Sequence, residues 1–537
     1  MRSSLAAFRR VARNRRLRRL LGAFFLSGTA EWGSWVAVLV WAHETRGATF
    51  VGVVAAVQLI ISAVIAPYVA SFGDRMSRST ALGFTFLGMG VALVATGMAF
   101  GFGSGVVVPL LLASWAAATF SVVRPVTASL IPDLADEPAD ALAANVVSST
   151  FEAAGTFIGP AAAALLLTVS DPSMVFFIFG VVAGLAGLLV STVGRVARAG
   201  GAMGEVEEGL GAAFRMLRRL PVQRYVLFLS GVSQLVAGGL DVLTVVLAIE
   251  VLGLGESGAG LVVSLIGLGG LAGGLMAFSV VGRRLGPVLV IGAAIRGLAL
   301  IVLGFEPGWW LMLLFAAGAG LSLIDIGVRT MLQRLVAPDA MSRVFGVLEG
   351  VSLIGLAGGS LLASAVIAAF GTRSGFVIFG ALVPLAVVVG YRLLARADRE
   401  ADVPSDVIDA FGRAGIFSLL GPSALEALAR RSRIVRFEPG ATAITEGELS
   451  RFVLVLLGGT VSVTKGGSPL AELEGGDIVG EIAALHDVPR TATVTAITPT
   501  TAISVPGDAF VQAVRGETEA WSLSASVAGQ RLAQQQG

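Results

Sequence analysis

Long apolar runs recur along most of this chain, and they constrain its fold more than any other feature. Each is about 20 residues or longer, the length an α-helix needs to cross the hydrocarbon core of a bilayer. We therefore predict twelve transmembrane helices in two sets of six. The segments are 20–43, 49–72, 79–102, 106–130, 141–169, 173–195, 225–252, 257–281, 286–305, 309–335, 341–370 and 374–395.

The composition agrees with a membrane protein and excludes several kinds of chemistry. The chain is 55% hydrophobic and only 14% charged, whereas soluble domains carry about 25% charged residues. It contains no cysteine and only two histidines, His43 and His486, which excludes disulfides, thiolate nucleophiles and histidine-rich metal sites. A phosphate-binding G-x-x-x-x-G-K-[ST] motif is absent from the sequence, so ATP-driven transport has no support. We predict that the protein is not an enzyme and that it binds no metal, cofactor or nucleic acid.

Basic residues predict the orientation in the membrane, because cytoplasmic connections carry an excess of Lys and Arg. They precede the first segment and follow every second one, whereas connections such as "GFGSG" and "FEPG" have none. We predict a multi-pass protein of the inner (plasma) membrane with both termini cytoplasmic. The basic N-terminus is expected to set the topology in the membrane. Binding to anionic lipid is the alternative role. The main arginines are Arg9, Arg10, Arg13, Arg15, Arg16, Arg18, Arg19, Arg75, Arg78, Arg283, Arg284, Arg392, Arg396 and Arg399.

The two sets of six segments resemble each other in sequence. "FFLSG" opens the first set and "LFLSG" opens the second, and "EPADALAANVV" before the fifth segment is echoed by "APDAMSRVFGV" before the eleventh. Repeated six-helix halves are a common architecture of secondary transporters. We predict a membrane domain at 1–396, with halves at about 18–196 and 223–396 and a cytoplasmic linker at 197–222.

"ASFGDRMSRS", between the second and third segments, resembles the signature of the major facilitator superfamily, G-x-L-a-D-R-x-G-R-[KR]. Asp74, Arg75 and Arg78 match it, whereas Ala70, Phe72 and Ser77 depart from its Gly, Leu and Gly. "RPVTASLIPDL" is similar to the branch that contains bacterial siderophore, drug and lysophospholipid transporters. The resemblance covers about residues 18–396 and implies alternating access with a central substrate path. Asp74 and Arg75 would then latch the two halves by pairing across their interface, and Arg78 would be a gating charge beside them.

Charged residues inside the apolar segments are functional candidates, because an ionisable side chain at membrane depth costs about 2.5–3.5 kcal/mol. Glu31 and Asp241 lie deep in the first and seventh segments, which line the central path in the family. We expect one of them to carry proton coupling. A second group holds gating charges that pair across helices and break during the cycle: Arg124, Glu152, Asp325, Arg329 and Glu349. Arg296, in the ninth segment, has no assigned role.

The character of the chain changes after about Ala397. A charged linker is expected at 397–410, followed by a separate domain at 411–537. This domain begins with a helical pattern, "PSALEALARRS", and continues as short strand-like runs separated by glycine turns. Such runs predict a β jelly-roll, here with flanking helices. The whole chain is therefore predicted to be an all-α polytopic membrane domain followed by a jelly-roll.

The tail resembles the cyclic-nucleotide-binding domains of cyclic-AMP receptors and kinase regulatory subunits. "GGDIVGE" matches the family's G-x-x-F-G-E apart from Val479, and Arg490 stands nine residues after Glu481. The resemblance implies that Glu481 accepts a bond from the ribose 2′-hydroxyl and that Arg490 and Thr491 bind the phosphate. Cyclic AMP is the expected regulatory ligand, with cyclic GMP as the alternative. The predicted pocket residues are Val479, Gly480, Glu481, Ile482, Ala483, Arg490, Thr491 and Ala492.

The two resemblances together predict a cyclic-nucleotide-regulated secondary transporter that exports a small organic or amphipathic molecule with proton coupling. One alternative is a membrane-anchored cyclic-nucleotide receptor that no longer transports. Another is a lysophospholipid transporter or flippase. The oligomeric state and the cargo are not predicted.

Overall fold

The structure is a computed structural model, and it describes residues 2–73, 76–103, 105–135, 138–194, 220–277, 284–336, 340–401, 405–420 and 422–515. The chain divides into two compact units, and apart from two short connections the division falls between Ala401 and Asp402. The first unit contains the long apolar helices, and the second contains the β-strands.

Helices α1 to α7 form the first half of the first unit. The polar residue before a helix often sets where it begins, because its side chain bonds to free backbone N–H groups. Asn14 accepts bonds from the backbone N–H groups of Arg16 and Leu17 at the start of α2, and Asp171 caps α7 in the same way. The helices are α1 (Arg2–Arg13), α2 (Arg15–Arg46), α3 (Ala48–Gly73), α4 (Arg78–Gly101), α5 (Val107–Leu134), α6 (Pro138–Leu167) and α7 (Pro172–Ser191).

The second half begins with α8, whose first residue is a proline, a good first residue because its missing N–H is not needed there. A short π-helical turn, Leu247–Val251, follows α8. In the long helix α12, Gly371 has a non-helical backbone with φ 80°, so this helix is kinked into two. The helices are α8 (Pro221–Val246), α9 (Gly255–Ala277), α10 (Gly286–Phe305), α11 (Trp310–Leu335), α12 (Met341–Val389) and α13 (Tyr391–Glu400).

Ten helices within the described part of the chain are long and apolar enough to cross a membrane. One of them, Arg343–Val389, spans the residues of the last two predicted segments. The all-α membrane domain is confirmed, whereas the count of twelve stays a prediction. Most of the predicted linker 197–222 lies outside the described residues, and the predicted linker 397–410 overlaps α13 and α14 (Ser405–Arg413).

Close glycine contacts recur in equivalent places of the two halves. A Cβ added to Gly180 of α7 would lie 2.9 Å from the Gly90 carbonyl oxygen of α4. A Cβ added to Gly380 of α12 would lie 2.8 Å from the Gly297 carbonyl oxygen of α10. Small residues let membrane helices approach closely, and the repeat of this contact fits the repeat in the sequence.

The helix connections define two faces of the first unit. We call the face where α2 begins and α3 ends the basic face. The opposite face carries the connections at 47, 168–171, 252–254 and 306–309. The described arginines that predict the orientation lie mainly on the basic face.

The second unit is an antiparallel β-barrel of two four-stranded sheets, with strand orders β1-β8-β3-β6 and β2-β7-β4-β5. Its strands and helices alternate as the sequence predicts, and the jelly-roll with flanking helices is confirmed. The elements are α14, α15 (Pro422–Arg431), β1 (Arg433–Phe437), β2 (Thr442–Ile444), β3 (Phe452–Gly458), β4 (Val461–Lys465), β5 (Ser468–Leu473), β6 (Ile478–Val479), α16 (Glu481–His486), β7 (Thr493–Ala496), β8 (Thr500–Pro506) and α17 (Gly507–Arg515).

Strand β3 is buried on both of its faces, which explains its continuous apolar sequence. Val453 and Val455 pack with the flanking helices, whereas Leu454 and Leu456 point into the barrel. Phe417, between α14 and α15, stacks on Phe411 with ring centroids 4.7 Å apart. The helices are thus attached to one sheet, and the barrel keeps a separate interior.

Candidate functional site

A cavity of about 380 Å³ lies among strands β2, β4, β5, β6 and β7 and the first turn of α16. All eight residues that the sequence predicts for the nucleotide pocket line this cavity. Their individual contacts with a ligand stay predictions. The residues are Val479, Gly480, Glu481, Ile482, Ala483, Arg490, Thr491 and Ala492.

Gly480 connects β6 to α16 in a conformation that suits glycine. Its backbone is left-handed, with φ 85°, a region that side chains with a Cβ rarely adopt. The space is also occupied, because an added Cβ would lie 3.1 Å from the Phe452 carbonyl oxygen and would overlap the Arg490 guanidinium. The left-handed turn and the position of the Arg490 guanidinium therefore both require a glycine at position 480.

Arg490 is held in the cavity wall by three hydrogen bonds. Its Nε donates to Ser450 Oγ at 2.9 Å, its Nη1 to the Gly480 carbonyl at 2.9 Å and its Nη2 to the Phe452 carbonyl at 2.6 Å. The guanidinium also lies over the Phe452 ring, 4.6 Å from its centroid. A guanidinium has five N–H donors, so the bonds seen among the described residues leave donors for a two-point contact with an anion.

The electrostatics of the cavity favour an anion that brings its own hydrogen-bond acceptors. Arg490 is 3% exposed and Glu481 is 1% exposed, so both charges are removed from water. Burial lowers the pKa of Arg490, while the Glu448 and Glu481 carboxylates act in the opposite direction. Arginine stays protonated regardless, and the cavity therefore holds a fixed positive charge beside a buried carboxylate.

Apolar residues complete the cavity, and the sequence analysis missed them. They belong to strands. The only sequence signal for their position is the alternation of apolar and polar residues, as in "TVSVTKGGSPLAEL". Which members of such an alternating run face the interior depends on strand register, and β4 and β5 pair with a register shift between Val463 and Thr464. The additional lining residues are Ile444, Val463, Leu470, Ala471, Leu473 and Val494.

In the first unit, the two predicted coupling carboxylates belong to helices that meet across the halves. The side chain of Trp35, in α2, hydrogen-bonds with the Asp241 carboxylate of α8. Glu31 is one turn before Trp35 in α2, and side chains four residues apart share a helix face. The structure thus brings Asp241 to the face of α2 that carries Glu31. Both acids are half-buried.

The predicted gating charges form ion pairs within each half. Arg124 of α5 pairs with Glu152 of α6. Arg329 of α11 contacts Asp325 in the same helix at 3.1 Å and Glu349 of α12 at 3.0 Å. These pairs occupy equivalent places in the two halves. Their breaking during a transport cycle stays a prediction.

Asp74 and Arg75, the two residues of the predicted latch, lie outside the described residues. The neighbouring gating charge, Arg78, is described. Arg78, at the start of α4, pairs with Asp133 of α5 at 3.0 Å and donates to the Ser129 carbonyl at 3.2 Å. Asp133 was not singled out from the sequence, because a single acid just beyond an apolar segment carries no specific signal.

Two further polar contacts were also missed. Arg296 of α10 is 1% exposed and donates to the carbonyl and the hydroxyl of Ser233 in α8, at 3.0 and 2.8 Å. His43 of α2 lies 3.0 Å from Glu250 in the π-helical turn. Each contact joins residues more than 60 positions apart, and no local pattern predicts such pairs.

Comparison with known proteins agrees with both units. The sequence pattern of the Major Facilitator Superfamily matches residues 20–287 and 278–466. The sequence pattern of the cyclic nucleotide-binding domain matches residues 434–517. The first family's second match thus continues into residues that the structure places in the barrel. Neither family is enzymatic.

Similar curated proteins match short stretches of the chain. An acetyltransferase Pat of Mycolicibacterium smegmatis is 41% identical over 93 residues, which are 17% of this chain and 28% of that protein. A cAMP-dependent protein kinase regulatory subunit of Yarrowia lipolytica is 43% identical over 75 residues, 14% of this chain and 20% of that protein. A CRP-like cAMP-activated global transcriptional regulator of Mycobacterium tuberculosis is 34% identical over 103 residues, 18% of this chain and 46% of that protein.

These matches span less than half the length of each relative. The family matches, in contrast, cover most of this chain and agree with the helical halves and the barrel described above. The chain therefore belongs to the major facilitator superfamily, and a cyclic nucleotide-binding domain follows its membrane helices.

Proposed function

We propose that the protein is a secondary transporter whose activity is regulated by a cyclic nucleotide. The observation that carries this proposal is the cavity of the second unit, in which a buried arginine with remaining donors stands beside a buried glutamate. Its residues fit a sugar-phosphate: Arg490 for the phosphate, Glu481 for the ribose hydroxyl and the apolar strands for the base. Two of the similar proteins are named for cAMP, which supports cyclic AMP as the ligand.

Proton coupling is the second part of the proposal. Glu31 and Asp241 lie on the two helices that meet between the halves, and Trp35 links one of these helices to the other. A membrane receptor that only anchors the barrel has no need for carboxylates at this depth, given their cost of about 2.5–3.5 kcal/mol each. We therefore favour a working transporter over a non-transporting receptor.

The proposed orientation places both termini, and the nucleotide domain at 411–537, in the cytoplasm. The arginines of the basic face support it, because this face would be cytoplasmic by the positive-inside rule. Export of an amphipathic organic molecule is the proposed direction, since few charges lie along the predicted path. Lysophospholipid transport is the closest competing proposal.

Reconstituted vesicles test the transport proposal with one compound from each cargo class. Proteoliposomes loaded with the pH dye pyranine are given a pH gradient and then ethidium or lysophosphatidylcholine. Proton movement that depends on one of these compounds supports coupled transport and tells the two cargo classes apart. A protein that binds cyclic AMP but moves neither protons nor either compound would favour the receptor.

A further inference from the structure

Arg490 lies in an irregular part of the barrel, between α16 and β7, so no strand sets its position. The segment 447–452, which leads into β3, fixes its backbone instead. The Gly447 N–H donates to the Arg490 carbonyl at 2.9 Å, and the Arg490 N–H donates to the Glu448 carbonyl at 3.0 Å. Both bonds hold only the main chain, so other contacts must orient the guanidinium.

Two side chains of the same segment hold the guanidinium itself. Ser450 Oγ accepts a hydrogen bond from Arg490 Nε at 2.9 Å. The Arg490 Cζ atom lies over the Phe452 ring, 4.6 Å from its centroid. A cation over the face of an aromatic ring at this distance is attracted to it. The hydroxyl thus fixes one edge of the guanidinium, and the ring supports its face.

The Phe452 ring is a fixed support because it is anchored in the barrel. Phe452 begins β3 and is paired with Pro506 of β8. Its side chain packs against the apolar cluster inside the barrel, which includes Ile444 and Leu454. A ring packed in this way has little freedom to move. It therefore restrains the long arginine side chain and does not follow its rotation.

These contacts decide which donors of Arg490 remain for a ligand. Ser450 uses the Nε–H, and Nη1 and Nη2 each donate one bond, to the Gly480 and Phe452 carbonyls. A guanidinium has five N–H groups, so the two that remain in the described part of the chain belong to Nη1 and Nη2. Two donors on neighbouring nitrogens suit a bidentate contact with two phosphate oxygens.

We propose that Ser450 and Phe452 are positioning residues of the nucleotide site, which hold Arg490 with Nη1 and Nη2 free for the phosphate before the ligand binds. A side chain that is ordered in advance does not have to be ordered by the ligand, and affinity is higher for that reason. This role rests on the proposed function, because it concerns the phosphate that a cyclic nucleotide would bring.

An ion pair between the same two segments offers a control for a purely structural role. Arg451 Nη2 lies 2.7 Å from Asp487 Oδ1, and these side chains are 71% and 69% exposed. The pair joins the loop before Arg490 to the segment 447–452, but it does not include Arg490. If the segments needed only to be held together, Arg451→Ala would weaken binding as much as substitutions of the positioning residues.

Calorimetric titration of the full-length protein with cyclic AMP measures the effect. Ser450→Ala should weaken binding about threefold to tenfold. Phe452→Leu, which keeps an apolar side chain but loses the ring, should weaken it about twofold to fivefold. Ser450→Thr and Phe452→Tyr keep the hydroxyl and the aromatic face and should retain most of the affinity. Arg451→Ala should bind as wild type does.

The two phosphorothioate forms of cyclic AMP give a readout that a structural role would not move. The Rp and Sp forms differ in which exocyclic oxygen of the phosphate is replaced by sulfur, a weaker hydrogen-bond acceptor. A guanidinium held in one position distinguishes the two forms. Ser450→Ala and Phe452→Leu should therefore bring the two affinities closer together, whereas a loss of barrel stability alone leaves their ratio unchanged.

The outcomes separate the positioning role from the proposed function. Folded Ser450→Ala and Phe452→Leu proteins with wild-type affinity and a wild-type ratio would overturn the positioning role and leave nucleotide binding intact. Equal weakening by Arg451→Ala, or a wild-type protein that binds both phosphorothioates equally, would also overturn it. If Phe452→Leu does not fold, Ser450→Ala decides. A folded wild-type protein that binds no cyclic nucleotide would reject the proposed function and the positioning role together.

Discussion

Arg490 and Gly480 are joined by a hydrogen bond of 2.9 Å from the guanidinium Nη1 to the glycine carbonyl. The bond connects the residue predicted to bind phosphate with the turn that begins α16. Because Gly480 also leaves the space that the guanidinium occupies, the two residues depend on each other. Substitution of the glycine should therefore affect the arginine as well as the turn.

Gly480→Ala should lower both the stability of the barrel and its affinity for cyclic AMP. The left-handed backbone costs about 1 kcal/mol for a residue with a Cβ, and the added methyl group displaces Arg490. Gly467 is the matched control, because it has a similar φ of 84° but open space around its Cβ. Gly467→Ala should show only the loss of stability. Thermal unfolding and calorimetric titration measure the two effects, and equal affinity in both variants would contradict the displacement of Arg490.

Glu481→Ala should weaken the binding of cyclic AMP about tenfold, because a hydrogen bond to a charged group contributes about 1.5 kcal/mol or more. The predicted partner is the ribose 2′-hydroxyl. Wild-type protein should therefore bind 2′-deoxy cyclic AMP more weakly than cyclic AMP, whereas the variant should bind the two equally. If the variant still discriminated between them as well as wild type does, Glu481 would not contact that hydroxyl.

Glu31→Gln and Asp241→Asn should uncouple transport from an imposed pH gradient while the protein remains folded. Each change removes a titratable proton from the helices that meet between the halves. Counterflow of cargo without a gradient should persist in the uncoupled variant. Wild-type gradient-driven transport in both variants would exclude these acids as coupling residues.

Arg329→Gln should destabilise the first unit by about 1 kcal/mol, since it leaves both Asp325 and Glu349 without their cation. Arg396→Gln offers a control, because the Arg396–Glu400 pair is also four residues apart but is exposed, at the end of a short helix. Exposed pairs of this kind contribute about 0.3–0.5 kcal/mol. Thermal unfolding in the same detergent should show a larger loss of stability for the Arg329 variant than for the Arg396 variant. Equal losses would contradict a structural role for Arg329.

The outline of the fold was accessible from sequence because it rests on local patterns. Runs of apolar residues predict membrane helices, and glycine turns between alternating strands predict a barrel. The predicted segments 341–370 and 374–395 divide next to Gly371, where the structure has a non-helical backbone inside α12. Hydropathy alone does not decide whether such a kinked run is one helix or two.

The cavity residues could be named from the sequence because they belong to a stretch that resembles a family motif. Gly480, Glu481 and Arg490 lie within this one short stretch, and all three line the cavity. Leu470 and Val463 come from strands whose register is set by long-range pairing, and they were missed. The same limit applied to His43 and Glu250, which are 207 residues apart.

The most direct test of the central claim is calorimetric titration of the full-length protein with cyclic AMP and cyclic GMP. Wild type should bind at least one of them, and Arg490→Ala should weaken binding at least about thirtyfold, corresponding to a loss of about 2 kcal/mol or more for an unpaired charge. Arg436→Ala, which removes an exposed barrel arginine, should leave affinity unchanged. The absence of binding heat from both nucleotides with folded wild-type protein would contradict regulation by a cyclic nucleotide.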